Sequence, residues 1–276
     1  MNHLVSVVIP AFNASQSLEA SFLSILNQTF SGCIEVIIVD DGSTDDTLLI
    51  AQGFLVYQSS TLTVKTYSQV NQGVSSARNQ GIFHASGDLI AFLDSDDIWH
   101  PFKLEIQVRE LMNNPDISAI GANRNGERYP FFVRSRLPLY SLSTLQVLLK
   151  WYPHTSTLLL RRSLVDKVGF YNTKMSHAED GEYLIRITHL AQLWVIDSDL
   201  VLTGGGKRAF GVSGLSADLF MMYEGELRVL RYSLHARSIS YLQFLLLYIW
   251  LSLKYIRRLL VSSSAFCFRS SLIGCQ

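Results

Sequence analysis

The chain has 276 residues, 48% of them apolar and 17% charged. That length buries about 70–75% of the unfolded surface in one large domain or two small ones, and the composition excludes a disordered chain. Lys+Arg and Asp+Glu both number 23, and 17 glycines and 6 prolines form no repeat, so a basic nucleic-acid binder and a collagen-like or low-complexity chain are excluded as well.

The first 120 residues alternate strand and helix patterns. Leu4–Ile9 is a short β-branched run stopped by Pro10, the mark of a buried strand. Ser15 or Ser17 can cap a helix carrying Leu18, Phe22, Ile25 and Leu26 at helical spacing. Glu35–Val39 is a second strand that ends in Asp40-Asp41-Gly42-Ser43, and Thr44 or Asp45 then caps a helix to about Phe54. Thr63–Tyr67 predicts a third strand, Gly73–Ala85 a helix and Asp88–Leu93 a fourth strand, which ends in Asp94-Ser95-Asp96-Asp97. Pro101 suits a first helical turn, with helix to about Asn113, and Ile117–Ile120 is a further strand. Arg124–Arg136 reads as loop with short strands, His154–Leu160 as a strand, the segment from Arg161 or Ser163 to Val168 as a helix, and Glu179–Leu190 as a helix with two carboxylates in its first turn.

Apolar strands separated by helices predict an α/β fold with a mostly parallel central sheet covered on both faces. Right-handed crossovers then put the strands' C-terminal ends on one edge, where ligands bind. Pro10, Asp40, Asp41, Asp94 and Asp96 are expected to meet there.

The tail differs in kind. Residues 227–276 hold seven basic and no acidic side chains, so the first 226 residues carry a net charge of −7 and the tail +7. Ser238–Leu253 is free of charge and rich in Leu, Tyr, Phe and Trp, followed by Lys254, Arg257 and Arg258. Sixteen residues fall short of the ~20 a spanning helix needs, so the run is expected to be a core or interfacial helix. Either it packs on the protein's own core or on a dimer partner, or it meets an anionic membrane surface through Tyr241, Phe244, Trp250, Lys254, Arg257 and Arg258. The odd set Cys33, Cys267 and Cys275 has no zinc spacing and fits a reducing compartment. No signal peptide or prenylation box is expected.

Four segments carry candidate chemistry. Asp40-Asp41-Gly42-Ser43 either caps the next helix or offers a carboxylate to a nucleobase N–H. Asp94-Ser95-Asp96-Asp97 either is a solvated loop or holds a hard divalent cation such as manganese or magnesium. Glu179-Asp180 either answers the helix dipole or supplies a general base that removes a hydroxyl proton. Asn71–Asn79 combines a helix N-terminus with Arg78, which suits phosphate or is an ordinary exposed helix.

Taken together, Val5–Asn13, Gln28-Thr29-Phe30, Asp40–Thr44, Gly73–Gly81, Gly87-Asp88 and Phe92–Asp97 resemble the family 2 glycosyltransferases. The likeness is dense over residues 4–110, thins to about 205, and is absent from the tail. It implies a GT-A fold and inverting transfer of a sugar from a nucleotide sugar, with a UDP-sugar as leading donor. It implies that Pro10, Ala11 and Phe12 line the nucleobase pocket and that Asp41 contacts the base. Asp94 and Asp96 resemble the family's DxD pair, with Asp96 the direct metal ligand and Asp94 and Ser95 nearer the donor. Asp180 resembles the catalytic base, and Glu179 its neighbour. The Gln-x-x-Arg-Trp motif and the several spanning helices of processive members are missing, which points to transfer of a single sugar.

The expected division is a transferase domain over 1–205, with a nucleotide-binding half to about 120 and an acceptor half over 121–205, then a helical extension over 206–276. The expected partners are a nucleotide-sugar donor, a glycan or lipid-linked acceptor of surface-polysaccharide or glycolipid assembly, and no nucleic acid. The expected site of action is the cytoplasm, at the inner face of the membrane. Two rivals use the same nucleotide pocket: a sugar-phosphate nucleotidyltransferase, whose glycine-rich basic loop is replaced here by Pro10-Ala11-Phe12-Asn13, and an inactive nucleotide-sugar-binding module. A Rossmann dehydrogenase is excluded because no G-x-G-x-x-G follows the first strand.

Overall fold

The apolar runs of the first half fold into strands with both faces covered. β1 (Leu4–Ala11), β2 (Cys33–Asp40), β3 (Leu62–Ser68) and β4 (Leu89–Phe92) are mutually parallel in the order β3-β2-β1-β4. Alternate residues feed two cores. Val5, Val7 and Ile9 pack with Leu18, Phe22 and Ile25 of α1 (Leu18–Leu26) on one face. Val8, Ile37 and Phe92 pack toward the second half of the chain on the other. Each such aliphatic side chain, fully buried, contributes about 1.5–3 kcal/mol. The computed structural model describes residues 3–127, 139–204 and 217–273, with side chains as far as residue 262.

α2 (Thr47–Gly53), α3 (Val74–His84) and α4 (Lys103–Asn113) make the crossovers, with the two-residue β5 (Ile98–Trp99) just before α4. β6 (Ala119–Arg124) runs with β4, but β7 (Leu139–Leu142) and β8 (Leu159–Arg161) do not. β8 lies antiparallel between β4 and β6. β9 (Leu193–Leu202) lies parallel to β6 and antiparallel to β5 and β7. The sheet is mostly parallel, as expected. The expectation that every strand offers its C-terminal end to one edge fails at β8, which enters from that edge by its N-terminal end.

The reason lies in His154–Thr157, expected as part of a strand. It is a 3-10 turn: the Thr157 hydroxyl donates to the His154 carbonyl, and His154 Nδ1 accepts from the Ser156 amide. Side chains that satisfy the backbone locally compete with a ladder. α5 (Thr144–Lys150) precedes this turn, and α6 (Arg162–Val168) and α7 (Glu179–Leu190) follow.

α8 (Leu219–His235) and α9 (Tyr241–Ile273) form an antiparallel pair that packs on the same core through Leu227, Leu230, Leu247 and Leu251. α9 runs well beyond the apolar segment that announced it, because no glycine or proline interrupts residues 241–273. The expected domain boundary at 205/206, most of the Arg124–Arg136 segment, and the side chains of Cys267 and Cys275 lie outside the described residues. Cys33 is a free thiol.

Candidate active site

A cleft of about 560 Å³ opens at the C-terminal ends of β1, β2 and β4. Pro10 and Ala11 at the end of β1 and Phe12 just after it line the cleft, with Asp41 behind β2 and Asp94, Ser95 and Asp96 behind β4. Arg78 of α3 and Glu179 of α7 complete the wall. The topology thus gathers almost every residue expected of the site. Asp40 and Asp180 are the exceptions: neither lines the cleft, and Asp180 adjoins Glu179 with its Oδ1 accepting from the Gly181 amide at 2.7 Å.

Asp40 and Asp41 divide their tasks. Asp40 accepts from the Ser43 amide and the Ser68 hydroxyl, which shapes the turn after β2. Asp41 reaches across to the loop before α3: Oδ1 accepts from Gln69 Nε2 at 2.7 Å and from the Gln72 amide at 2.9 Å, and Oδ2 from the Gly73 amide at 2.8 Å. A carboxylate has about four acceptor positions, so one remains for a ligand. Gly42 has φ +74°, and a Cβ there would stand 2.7 Å from the Asn71 amide nitrogen, so the two loops can close only over glycine.

Arg78 is buried, with its guanidinium 5.3 Å from the Tyr171 ring centre. Its Nη1 donates to Glu179 Oε1 and its Nη2 to Asp94 Oδ1, each at 2.9 Å. Against the effect of its burial, the Asp94 carboxyl is held below the usual range by the Arg78 guanidinium. Glu179 goes the other way. Burial and the adjacent Asp180 charge raise it to about 7, with Arg78 opposing.

Behind the Asp94–Asp97 loop stands Ser156. Its hydroxyl accepts from the Asp94 amide at 3.1 Å and donates to Asp97 Oδ2 at 2.5 Å. Asp97 also accepts from the Gly204 amide. Burial and the charges of Asp94 and Asp96 raise Asp97 to about 7. Burial and the Arg124 charge lower His154 to about 3, so its imidazole is neutral and keeps a lone pair. Asp94, Asp97 and His154 each offer one ligand atom, all within 4.8 Å of one another. Two carboxyls that repel each other and a neutral imidazole form a donor set that fits a divalent cation. Asp96 lines the cleft beside this group without belonging to it.

Sequence reasoning missed His154 and Ser156, which reach the site from the N-terminal end of β8, and passed over Asp97. It also missed Thr173, Met175 and Ser176, which line the cleft together with Asn71 and Gln72 of the Asn71–Asn79 segment. A third carboxylate in Asp94–Asp97 was the one available signal; the 57 to 60 positions separating the loop from His154 give none.

The profile of the family described as Glycosyl transferase family 2 matches residues 6–175. A UDP-Glc:alpha-D-GlcNAc-diphosphoundecaprenol beta-1,3-glucosyltransferase of Escherichia coli is 39% identical over 114 residues, 41% of this chain and 43% of that one. Chondroitin synthase of Escherichia coli is 37% identical over 141 residues, 50% of this chain and 20% of that one. The chain spans about half the length, or less, of the curated relatives it matches. Among solved structures, TarS 1-349 of S. aureus in complex with UDP-GlcNAc superposes with a TM-score of 0.67 at 21% identity, over 83% of this chain and 66% of that one. The mannosyltransferase PcManGT of Pyrobaculum calidifontis, in complex with GDP-Man and Mn2+, gives 0.63 at 16% identity, over 97% and 79%. At these identities the likeness is one of fold.

Proposed function

Because the chain belongs to glycosyltransferase family 2 and has the GT-A fold, we propose that it is a glycosyltransferase that moves one sugar, with inversion, from a UDP-sugar to a hydroxyl of a lipid-linked or glycan acceptor. The observation that carries this reading is the meeting of Asp41, Arg78, Asp94 and Glu179, from four separate elements, on one cleft. The acceptor class is supported by the relative named for a diphosphoundecaprenol substrate. Such an acceptor sets the reaction in surface-polysaccharide or glycolipid assembly at the cytoplasmic face of a membrane.

Pro10, Ala11 and Phe12 form the wall for the nucleobase, and Asp41 uses its remaining acceptor position on a base N–H, a charge-assisted bond that selects the base. Asp94 and Asp96 would hold a divalent cation in the arrangement the motif suggests; Asp94, Asp97 and His154 would hold it in the arrangement the side-chain distances favour. When bound, the cation supplies Lewis-acid stabilisation of the charge on the departing diphosphate. Arg78 keeps Asp94 ionised and in place.

Asp180 takes the proton of the acceptor hydroxyl, and a single displacement inverts the anomeric centre. A second reading gives the proton to Glu179, favoured by its place in the cleft wall and by a carboxyl poised near neutral pH. The transferase domain carries a C-terminal extension, in which α8 packs against α7 and α9 against α8 and α5.

A panel of nucleotide sugars with manganese and magnesium tests the proposal. Turnover of a UDP-sugar, abolished by chelator, is the expected result. Pyrophosphate release from a nucleoside triphosphate and a sugar phosphate would establish a nucleotidyltransferase, and donor binding without turnover an inactive module.

A further inference from the structure

We propose that the outward face of α9 is a docking surface for an anionic lipid bilayer. The inward face is fully engaged. Leu247 and Leu251 are buried in the core, Tyr255 stacks on Tyr223 at 4.6 Å, and Lys254 and Arg258 both reach the buried Glu226 of α8, at 3.2 and 3.0 Å. Two of the cations expected to meet lipid therefore turn inward, and Phe244 packs on the core with them. What remains outside is a stripe at helical spacing: Leu242, Leu246, Ile249, Leu253, Ile256 and Leu260, each more than half exposed. An apolar face this long on a helix fixed to the body of a protein marks an interaction site.

Charge decides between occupants. No acidic residue occurs in 227–276; the exposed Arg257 adjoins Ile256 of the stripe, and Arg231 of α8 and Arg237 just after α8 are exposed as well. A second copy seated face to face would set like charges against each other. Anionic headgroups complement them. Tyr241, Tyr248 and Trp250 are partly exposed along the stripe, where amphipathic rings suit the headgroup level. Among the described residues no helix is long and apolar enough to cross a membrane, so α9 lies in the interface plane with its apolar face in the acyl boundary.

The lipid-linked acceptor reading gives this surface a purpose, but its test is independent of that reading. The full chain is floated with phosphatidylcholine vesicles with and without phosphatidylglycerol. Flotation with the anionic vesicles, weakened by salt, is expected. Leu246→Glu combined with Ile249→Glu should lower it about tenfold or more, and Arg257→Gln about fivefold on anionic vesicles alone. Circular dichroism checks that each variant folds, and the surface change Arg257→Gln carries the test if the double variant does not. A chain that stays at the bottom of both gradients overturns the proposal. So does a double variant that floats like the parent, or a solution dimer that the same substitutions split. UDP-sugar turnover without vesicles reports separately on the transferase reading.

Discussion

Asp94 and Glu179 lie far apart in sequence and accept from the two terminal nitrogens of one guanidinium, that of Arg78. The residue that binds them is itself buried, so the pair is a junction between the strand-end loop and the first turn of α7. Removing one partner of a buried ion pair leaves charge without compensation, which costs about 3–5 kcal/mol. Arg78→Met is expected to lose stability on that scale in chemical denaturation, and to lose activity. Combining it with Glu179→Gln should cost less than the two changes added, since both remove the one hydrogen bond from Arg78 Nη1 to Glu179 Oε1.

The two first-turn carboxylates can be told apart by rate and by pH. If Asp180 takes the acceptor proton, Asp180→Asn lowers kcat about 10²–10⁴-fold and leaves UDP binding unchanged. If Glu179 does, the wild-type rate rises with pH through about 7, where that carboxyl ionises, and Glu179→Gln removes the limb. Stability carries a matching signature. Between the ordinary 4.5 and about 7, folded Glu179 holds a proton that the unfolded chain has released. Stability therefore falls as pH rises across that window, and Glu179→Gln should make the slope shallower, leaving the share of Asp97, which is also raised to about 7.

Asp41 supports the loop before α3 as well as facing the cleft. Asp41→Asn replaces an acceptor with an NH2 group, and one of the Gln72 and Gly73 amides then meets a donor. A hydrogen bond to a charged group contributes about 1.5–3 kcal/mol, so UDP affinity measured by calorimetry is expected to fall about tenfold or more. Asp40→Asn disturbs only the turn after β2 and should spare UDP binding.

The metal site separates the motif from the geometry. His154→Ala should weaken Mn2+ binding tenfold or more, measured by titration in the presence of UDP, if Asp94, Asp97 and His154 are the donor set. Unchanged binding in His154→Ala with loss in Asp96→Asn would return the site to the Asp94–Asp96 pair. Removal of the ion by chelator should abolish transfer in either case.

The legible parts of the molecule were those whose physics is local. β1, β2 and β4 are β-branched or apolar runs, though β1 continues through Pro10 to Ala11 on the parallel ladder where a stop at Pro10 was expected, and α7 begins at Glu179 and ends at Leu190 as its spacing predicts. Strand-end carboxylates could be placed together because parallel topology leaves few alternatives. β8 broke that rule, and with it went His154 and Ser156, since a short antiparallel insertion has no signature of its own. α5 had one that went unread: Ser143 and Gln146 form a capping box. In α9 the helix was legible, but which cations turned inward depended on Glu226, a partner on another helix.

The first turn of α7 is also fixed from outside. Gly181 follows Asp180, and a Cβ there would come within 2.2 Å of two atoms of the Trp151 ring. In an open helix, glycine to alanine would gain about 1 kcal/mol. Here overpacking reverses the sign, with a loss of about 1–3 kcal/mol expected for Gly181→Ala. Trp151 is held in turn near Lys254 of α9, 6.0 Å from its ring, so it cannot yield without disturbing the C-terminal helices. Trp151→Ala empties the space, at its own cost of about 3–5 kcal/mol. The double variant should therefore be more stable than the sum of the two losses predicts. Because the clash bears on the turn that holds Glu179 and Asp180, Gly181→Ala should lower kcat while UDP affinity stays near wild type. If stability is unchanged, Trp151 does not set the position of α7.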